Sequence, residues 1–250
     1  MGTVFRLLNI GVSFEKHAVT QRSFKSFLSG FLDGNGRPQF HALADVSLTI
    51  QEGEHVGIIG RNGAGKSTLL RVLSRIITPQ RGSLYVNGSM RIVPLLELGI
   101  GFQPDLTGRE NCYLAGVLMG YSQEEVRTKI DDIREFAGLG EFFDEPVKTY
   151  SSGMFARLAF ALATDVEPDI LLVDEVFGVG DEFFMRKSIV RMQRLMQAGS
   201  TTVFVSHNLD FLVAQCSRLI WLDNGRVILD GTPGEVQRNP EVREVYFGHV

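Results

Sequence analysis

A glycine-rich loop is the first group of residues in this chain that predicts chemistry. Residues 60–67 read Gly-Arg-Asn-Gly-Ala-Gly-Lys-Ser and fit the pattern G-x-x-x-x-G-K-[ST]. Glycines let successive backbone N–H groups turn toward a phosphate, and the helix N-terminus that follows favours anions. Lys66 is predicted to reach the β- and γ-phosphates, Ser67 to coordinate Mg²⁺, and Thr68 to contact the α-phosphate region. The predicted nucleoside triphosphate site comprises Gly60, Arg61, Asn62, Gly63, Ala64, Gly65, Lys66, Ser67 and Thr68.

Two acidic residues follow a wholly apolar run at 170–173. Asp174 and Glu175 are therefore expected at the carboxyl edge of a central strand, where ligands bind in open α/β sheets. Asp174 is predicted to hold the Mg²⁺ shell, and Glu175 to polarise the attacking water as general base. His207 follows the apolar segment 202–205 and is predicted to donate to the γ-phosphate.

A Ser-Gly turn precedes that acidic strand, within Tyr-Ser-Ser-Gly-Met at 150–154. Ser152 and Gly153 are predicted to open a helix whose N-terminus offers a hydroxyl and N–H groups to an anion. An ordinary N-cap is the alternative. A second phosphate site is not needed by one domain, but it is explained if two copies of the chain face each other and share the nucleotide. Asp181, in the loop after Glu175, is predicted to serve that site, to cap the helix from 182, or both.

Strand-like and helical segments alternate around these residues. Strands are predicted at 4–14, 43–50, 55–59, 84–86, 91–93, 170–173 and 202–205, and a hairpin is predicted around 223–225. Helices are predicted at 69–76 and 182–197, and an amphipathic helix at 22–32. Two capping boxes, Thr107 with Glu110 and Ser122 with Glu125, indicate helices from 107 to about 165. We predict a mostly parallel sheet between helices (about 1–103 and 166–250) with an inserted helical lobe (about 104–165).

Composition restricts the class of protein. The 250 residues are 44% hydrophobic and 22% charged, as in soluble globular domains, and the net charge of −4 does not favour a nucleic-acid partner. Cys112 and Cys216 are far apart and are predicted to be buried apolar residues in a reducing compartment. No apolar run approaches the roughly 18 residues of a membrane span, so we expect a cytoplasmic chain whose spans, if it acts at a membrane, come from another polypeptide.

Taken in order, these motifs resemble the nucleotide-binding domain of ATP-binding cassette (ABC) transporters. The resemblance implies an α/β fold: a RecA-like P-loop NTPase core, an antiparallel β subdomain and an inserted helical subdomain. It also implies a head-to-tail homodimer that binds ATP and Mg²⁺ between the phosphate loop of one copy and the signature turn of the other. The implied roles are Walker A for Lys66, Ser67 and Thr68, Walker B for Asp174 and Glu175, the signature for Ser152 and Gly153, the D-loop for Asp181, the switch histidine for His207, and adenine stacking (or core packing) for Phe14.

The signature departs from the common Leu-Ser-Gly-Gly-Gln at Ser151, Met154 and Phe155. The run Tyr-Ser-Ser-Gly-Met resembles the subfamily that exports polysaccharides such as O-antigen, capsule and teichoic acid. The Q-loop role, including a place in the Mg²⁺ shell, is implied for Glu97, with Gln103 as the alternative. The 22–32 helix resembles one near the membrane subunit and the substrate entry; the alternative is that its apolar face packs on its own domain. The chain is expected to lack the C-terminal carbohydrate-binding domain of some members.

The expected function is thus an ATPase subunit that powers export of a lipid-linked polysaccharide from the cytoplasmic face of the inner membrane. Its expected partners are a second copy of itself and two copies of a polytopic permease, with no nucleic acid. The alternatives are an ABC exporter of a lipid or drug, or a soluble ABC ATPase that acts on ribosomes or DNA.

Overall fold

A computed structural model describes residues 2–15, 39–96, 99, 101–165, 167–174 and 181–247. The predicted 22–32 helix, Glu97 and Glu175 lie outside these residues. Within them, no helix combines the length and the apolar character that crossing a membrane requires.

A six-stranded sheet forms the centre of the fold. Its strands are β3 (His55–Ile59), β5 (Ile92–Leu95), β6 (Ile170–Asp174), β7 (Thr201–Val205), β8 (Arg218–Asp223) and β9 (Arg226–Gly231). Their spatial order is β5-β6-β7-β3-β8-β9, and every neighbouring pair is parallel except β8 with β9. Leu171, Val203 and Ile58 are at most 1% exposed, which explains why these strands read as continuous apolar runs rather than as alternating patterns.

A smaller antiparallel sheet covers one side of the phosphate loop. Strand β1 (Thr3–Glu15) lies between β2 (Gln39–Gln51) and β4 (Arg81–Val86). The inward residues of β1 and β2, including Phe5 and Ile50, pack in one apolar cluster with α1 (Lys66–Leu73). The antiparallel sheet and the P-loop helix therefore share a core.

A group of helices lies between β5 and β6 in the chain. It contains α2 (Gly108–Leu118), α3 (Gln123–Ala137), 3₁₀ turns at Gly140–Asp144 and Val147–Thr149, and α4 (Ser152–Asp165). Both predicted capping boxes are present, with the Thr107 and Ser122 hydroxyls accepting from the N–H groups of Glu110 and Glu125.

The remaining helices follow the sheet strands. They are α5 (Glu182–Gln197), α6 (Leu209–Gln215), α7 (Pro233–Arg238) and α8 (Pro240–Phe247). Helix α5 has the predicted bounds, because Asp181 caps its first turn and Ala198-Gly199 follows its last.

Several predicted bounds require correction. Strands β1 and β2 are longer than predicted, and α1 ends at Leu73 rather than at 76 because Arg75 adopts a positive φ of 59°. The strands on either side of Asn87-Gly88 exist but join different sheets, since β4 pairs with β1 and β5 pairs with β6. Cys112 and Cys216 are buried as predicted, and burial raises the pKa of each thiol to about 12.

Candidate functional site

A cavity of about 460 Å³ lies over the phosphate loop. Its walls come from β2, the loop with the start of α1, and the carboxyl ends of three strands. The lining residues are Phe40, Ala42, Asn62, Gly63, Gly65, Lys66, Ser67, Thr68, Leu96, Asp174 and His207. Eight of these eleven residues were predicted from the sequence; the other three are Phe40, Ala42 and Leu96.

 The cavity therefore brings the phosphate loop, the acidic strand end and the histidine to one place.

Two loop glycines are required by close approach of neighbouring backbone. Gly60 has a φ of +154° and Gly65 a φ of +103°. A Cβ on Gly65 would overlap the Ala42 carbonyl oxygen of β2, and a Cβ on Gly60 would overlap the Leu222 carbonyl oxygen of β8. Only glycine fits at such positions without moving a neighbouring strand.

Lys66 lies at the first position of α1 and is 6% exposed. Its Nζ donates to the carbonyl oxygens of Gly60 (2.7 Å) and Arg61 (3.0 Å). The ammonium group is thus held across the mouth of the loop by two carbonyls. A buried positive charge at the N-terminus of a helix suits a site for phosphate.

The acidic and histidine residues come from adjacent parallel strands. Asp174 ends β6 and is paired in register with Val205, the last residue of β7, and His207 follows two positions later. Because parallel strands end at the same edge of a sheet, both side chains reach the cavity. Ser67 brings a hydroxyl to the same cavity, so its wall offers hydroxyl and carboxylate oxygens, the donors that Mg²⁺ prefers.

The aromatic residue in the cavity wall is Phe40, which the sequence analysis missed. Phe40 is 43% exposed and is the cross-strand partner of Phe14, itself 42% exposed. Directly paired residues project from the same face of an antiparallel sheet, so both side chains lie on one face, near the end of β1 and the start of β2. The register of β1 with β2 identifies Phe40, and the sequence does not reveal that register. A role for Phe14 at the adenine stays a prediction.

The turn before α4 has a cap that differs from the predicted one. Helix α4 begins at Ser152, as expected, but the side chain that caps it belongs to Ser151, whose Oγ accepts from Met154 N at 3.2 Å. Ser151 O also accepts from Phe155 N at 3.0 Å. Ser152 is exposed. The ordinary capping role therefore belongs to Ser151, which leaves the Ser152 hydroxyl available for a ligand.

Asp181 has the capping role that the sequence allowed. Its Oδ1 accepts from Phe184 N at 2.8 Å at the start of α5, and the residue is exposed. One carboxylate oxygen is engaged in the cap, while the residue as a whole stays exposed to solvent. Both predicted roles remain compatible with this geometry.

Buried Asn111 fixes the segment that includes Gln103. Asn111 is fully buried; its Oδ1 accepts from Gln103 N at 2.6 Å, and its Nδ2 donates to the Gln103, Leu106 and Thr107 carbonyls at 3.0–3.1 Å. The Gln103 side chain is exposed and is not among the residues that line the cavity. The Q-loop role of Glu97, with Gln103 as the alternative, stays a prediction, and Glu97 lies outside the described residues.

Tyr150 anchors the approach to α4. Its hydroxyl donates to the Phe142 carbonyl at 2.6 Å, and burial raises its pKa to about 12. A Cβ on Gly108 would overlap this hydroxyl, which explains a glycine at the start of α2. The turn that carries Ser152 is thus positioned by contacts within the helical region.

Comparison with known protein families shows the family to which the chain belongs. A profile described as "ABC transporter" matches residues 43–178, which include the phosphate loop, the Ser-Gly turn and the acidic strand. The chain belongs to the ABC transporter family. A second profile, "Branched-chain amino acid ATP-binding cassette transporter", matches residues 226–250 of this ABC protein.

Curated relatives of this ABC protein include two named for O-antigen export. The "O-antigen export system ATP-binding protein" of Myxococcus xanthus is 47% identical over 92% of this chain and 54% of its own length. Its namesake in Klebsiella pneumoniae is 47% identical over 76% of each chain. The "Teichoic acids export ATP-binding protein" of Lactococcus lactis is 41% identical over 86% of this chain and 46% of its own length. The chain thus spans about half the length of two of these relatives.

A solved structure agrees with the fold. A dimeric ATP-binding cassette in a post-hydrolysis state with ADP and phosphate is 24% identical and covers 92% of this chain and 99% of its own, with a TM-score of 0.72. This similarity confirms the expected α/β fold with a P-loop NTPase core.

Proposed function

We propose that this chain is the ATP-hydrolysing subunit of an ABC transporter that exports a lipid-linked polysaccharide across the cytoplasmic membrane. The observation that carries the ATPase part is the single cavity into which the loop lysine, the Ser67 hydroxyl, Asp174 and His207 converge. The names of the O-antigen and teichoic acid relatives support the substrate class.

In this proposal Lys66 and the loop N–H groups bind the β- and γ-phosphates, and Phe40, beside Phe14, stacks on the adenine. Ser67 and Asp174 would hold Mg²⁺, and Glu97 or Gln103 would complete the set of residues around it. When bound, Mg²⁺ would neutralise the negative charge that develops on the phosphate oxygens. His207 donates to the γ-phosphate.

Glu175 is proposed as the general base, because it directly follows the strand that places Asp174 at the cavity. Replacing Glu175 with Gln keeps the shape and removes the basic carboxylate. General-base catalysis contributes roughly 10²–10⁴-fold, so turnover should fall by that order while ATP binding persists. Glu182→Gln is the matched control, since Glu182 is exposed and pairs with Arg186 on α5. Unchanged turnover in E175Q would remove Glu175 from this role.

A homodimer is proposed because the Ser-Gly turn does not reach the nucleotide cavity of its own copy. Among the described residues, those that line the cavity do not include Ser152, Gly153 or Asp181. The exposed start of α4, with its capping need met by Ser151, is free to reach the phosphates held by a second copy. We infer that two copies pack head to tail, each completing the other's site.

The transport part of the proposal requires a membrane partner. Two copies of a polytopic permease would bind the dimer at the cytoplasmic face of the membrane, and the closing and reopening of the dimer would drive export. Purification from detergent extracts tests this directly: we expect a multi-span protein to co-purify, and deletion of the chain to leave lipid-linked polysaccharide inside the cell. Co-purification with ribosomes or DNA, or export of an unrelated lipid or drug, would refute it.

A further inference from the structure

Phe155 occupies the last of the three signature positions at which this chain departs from the family's common pattern. It lies in the first turn of α4, three residues after Ser152. Its ring contacts the Phe102 ring edge-on, with centroids 5.3 Å apart and an interplanar angle of 63°. The start of the signature helix therefore packs directly on the segment that precedes α2.

Gly99 shows how close this packing is. It adopts a φ of +79°, and a Cβ at this position would overlap two atoms of the Phe155 ring. Phe102 N donates to Gly99 O at 2.9 Å, so Gly99 and Phe102 form one turn that holds the Phe155 ring. A Cβ on Gly101, also at positive φ, would meet Leu118 of α2 at 3.0 Å.

The same segment is fixed at its far end. The side chain of Asn111 binds the backbone of Gln103, Leu106 and Thr107, as described above. Gly99 and residues 101–107 are thus attached to α2 and α4 of the helical region. Leu96, three residues before Gly99, lies instead in the wall of the nucleotide cavity.

We propose that Phe155 is a positioning residue, which joins the signature turn to the segment that leaves the nucleotide cavity so that the two move together. The common family pattern has glutamine at this position, and an amide cannot reproduce the edge-on ring contact. This inference rests on the proposed ATPase function. It assigns Phe155 no contact with ATP.

Three variants of the full chain test the proposal. In Phe155→Ala the ring is lost, in Phe155→Tyr it is kept, and Phe142→Ala is the control, because Phe142 is a 52% exposed phenylalanine of the same helical region. Small displacements of catalytic elements cost up to about a hundredfold in rate, so we expect F155A to lower kcat by roughly tenfold or more. Its KM for MgATP should change by less than about threefold, because Lys66 and the loop are untouched. F155Y should recover most of the rate, and F142A should match the parent chain.

Hydrogen exchange gives a readout that does not require hydrolysis. F155A should accelerate amide exchange both at residues 101–107 and at the start of α4, whereas F142A should leave both unchanged. The proposal is overturned if F155A speeds exchange in α4 alone, if kcat is unchanged in F155A, or if F155A and F155Y lower kcat equally. A parent chain that shows no ATP hydrolysis would refute the proposed function instead, and the exchange result would still decide the link.

A compensation experiment tests the contact itself. Gly99→Ala places a methyl group against the ring, so it should lower kcat strongly in the parent chain. In the F155A background the clash is absent, and the same change should cost at least about threefold less, since contacting residues are not additive. Equal effects in both backgrounds would show that Gly99 and Phe155 act independently, which contradicts the proposal.

Discussion

Substitution of Ser151, which precedes α4, and of Ser152, its first residue, should have opposite effects, because only Ser151 caps the helix. Ser151→Ala removes the hydroxyl that accepts from Met154 N, while the Phe155 N to Ser151 O bond remains. Loss of an N-cap costs about 1 kcal/mol. For a chain of this size, that corresponds to a decrease in Tm of roughly 2–4 °C. Turnover should change little, because Ser152 and Gly153 keep their positions.

Ser152→Ala should do the reverse. Ser152 is exposed, and alanine is the better helix former, so the free energy of unfolding should stay within about 0.5 kcal/mol of the parent value. If its hydroxyl binds the nucleotide of a second copy, the variant loses a hydrogen bond to a charged group, worth about 1.5–3 kcal/mol. Steady-state hydrolysis should then fall by roughly tenfold to a hundredfold.

Thermal unfolding and steady-state ATP hydrolysis, measured on both variants, separate the two roles. The reasoning is refuted if S152A lowers Tm as much as S151A does while its turnover is normal. In that case Ser152 would act only in the helix start, and the phosphate role of the Ser-Gly turn would be wrong.

Three further predictions concern other parts of the molecule. Phe40→Ala should weaken ATP binding by about threefold to tenfold, because an aromatic stack on the adenine is lost, and Phe14→Ala should weaken it less. If nucleotide titration gives F40A and F14A the same affinity for ATP, the placement of Phe40 in the cavity is contradicted. Arg191→Met leaves Asp165 as a buried unpaired charge, so the free energy of unfolding, measured by chemical denaturation, should fall by about 3 kcal/mol. A fall of less than about 1 kcal/mol would show that the ion pair is dispensable. Hydrogen bonds from the α3 cap lower the pKa of Glu125 from 4.5 to about 2. The stability that Glu125 contributes is therefore complete above pH 4.5 and is lost as the pH falls toward 2. In E125Q, the free energy of unfolding should decline less steeply over that pH range than in the parent chain.

Much of the fold could be predicted because apolar runs and capping residues act locally. The runs that became β3 and β6 are bounded by charged or glycine residues, the run that became β7 is bounded by serines, and all three strands are buried on both faces. Helix α5 has a cap at its start and Ala198-Gly199 at its end, so its bounds follow from nearby residues alone.

The predictions fail where the structure is determined by contacts between residues that are distant in the chain. Strands β4 and β5 follow each other in the chain but pair with β1 and β6, and the Asn87-Gly88 turn between them carries no information about which sheet each joins. Phe40 enters the site through the register of β2 with β1, and residue type alone cannot identify the capping serine between Ser151 and Ser152.

The rate of ATP hydrolysis per chain, measured over a dilution series of the purified protein, tests the central claim most directly. If each copy holds half of each site, the rate per chain should rise with concentration and level off once dimers dominate. A rate per chain that stays constant down to concentrations at which sedimentation shows only monomers would contradict the account.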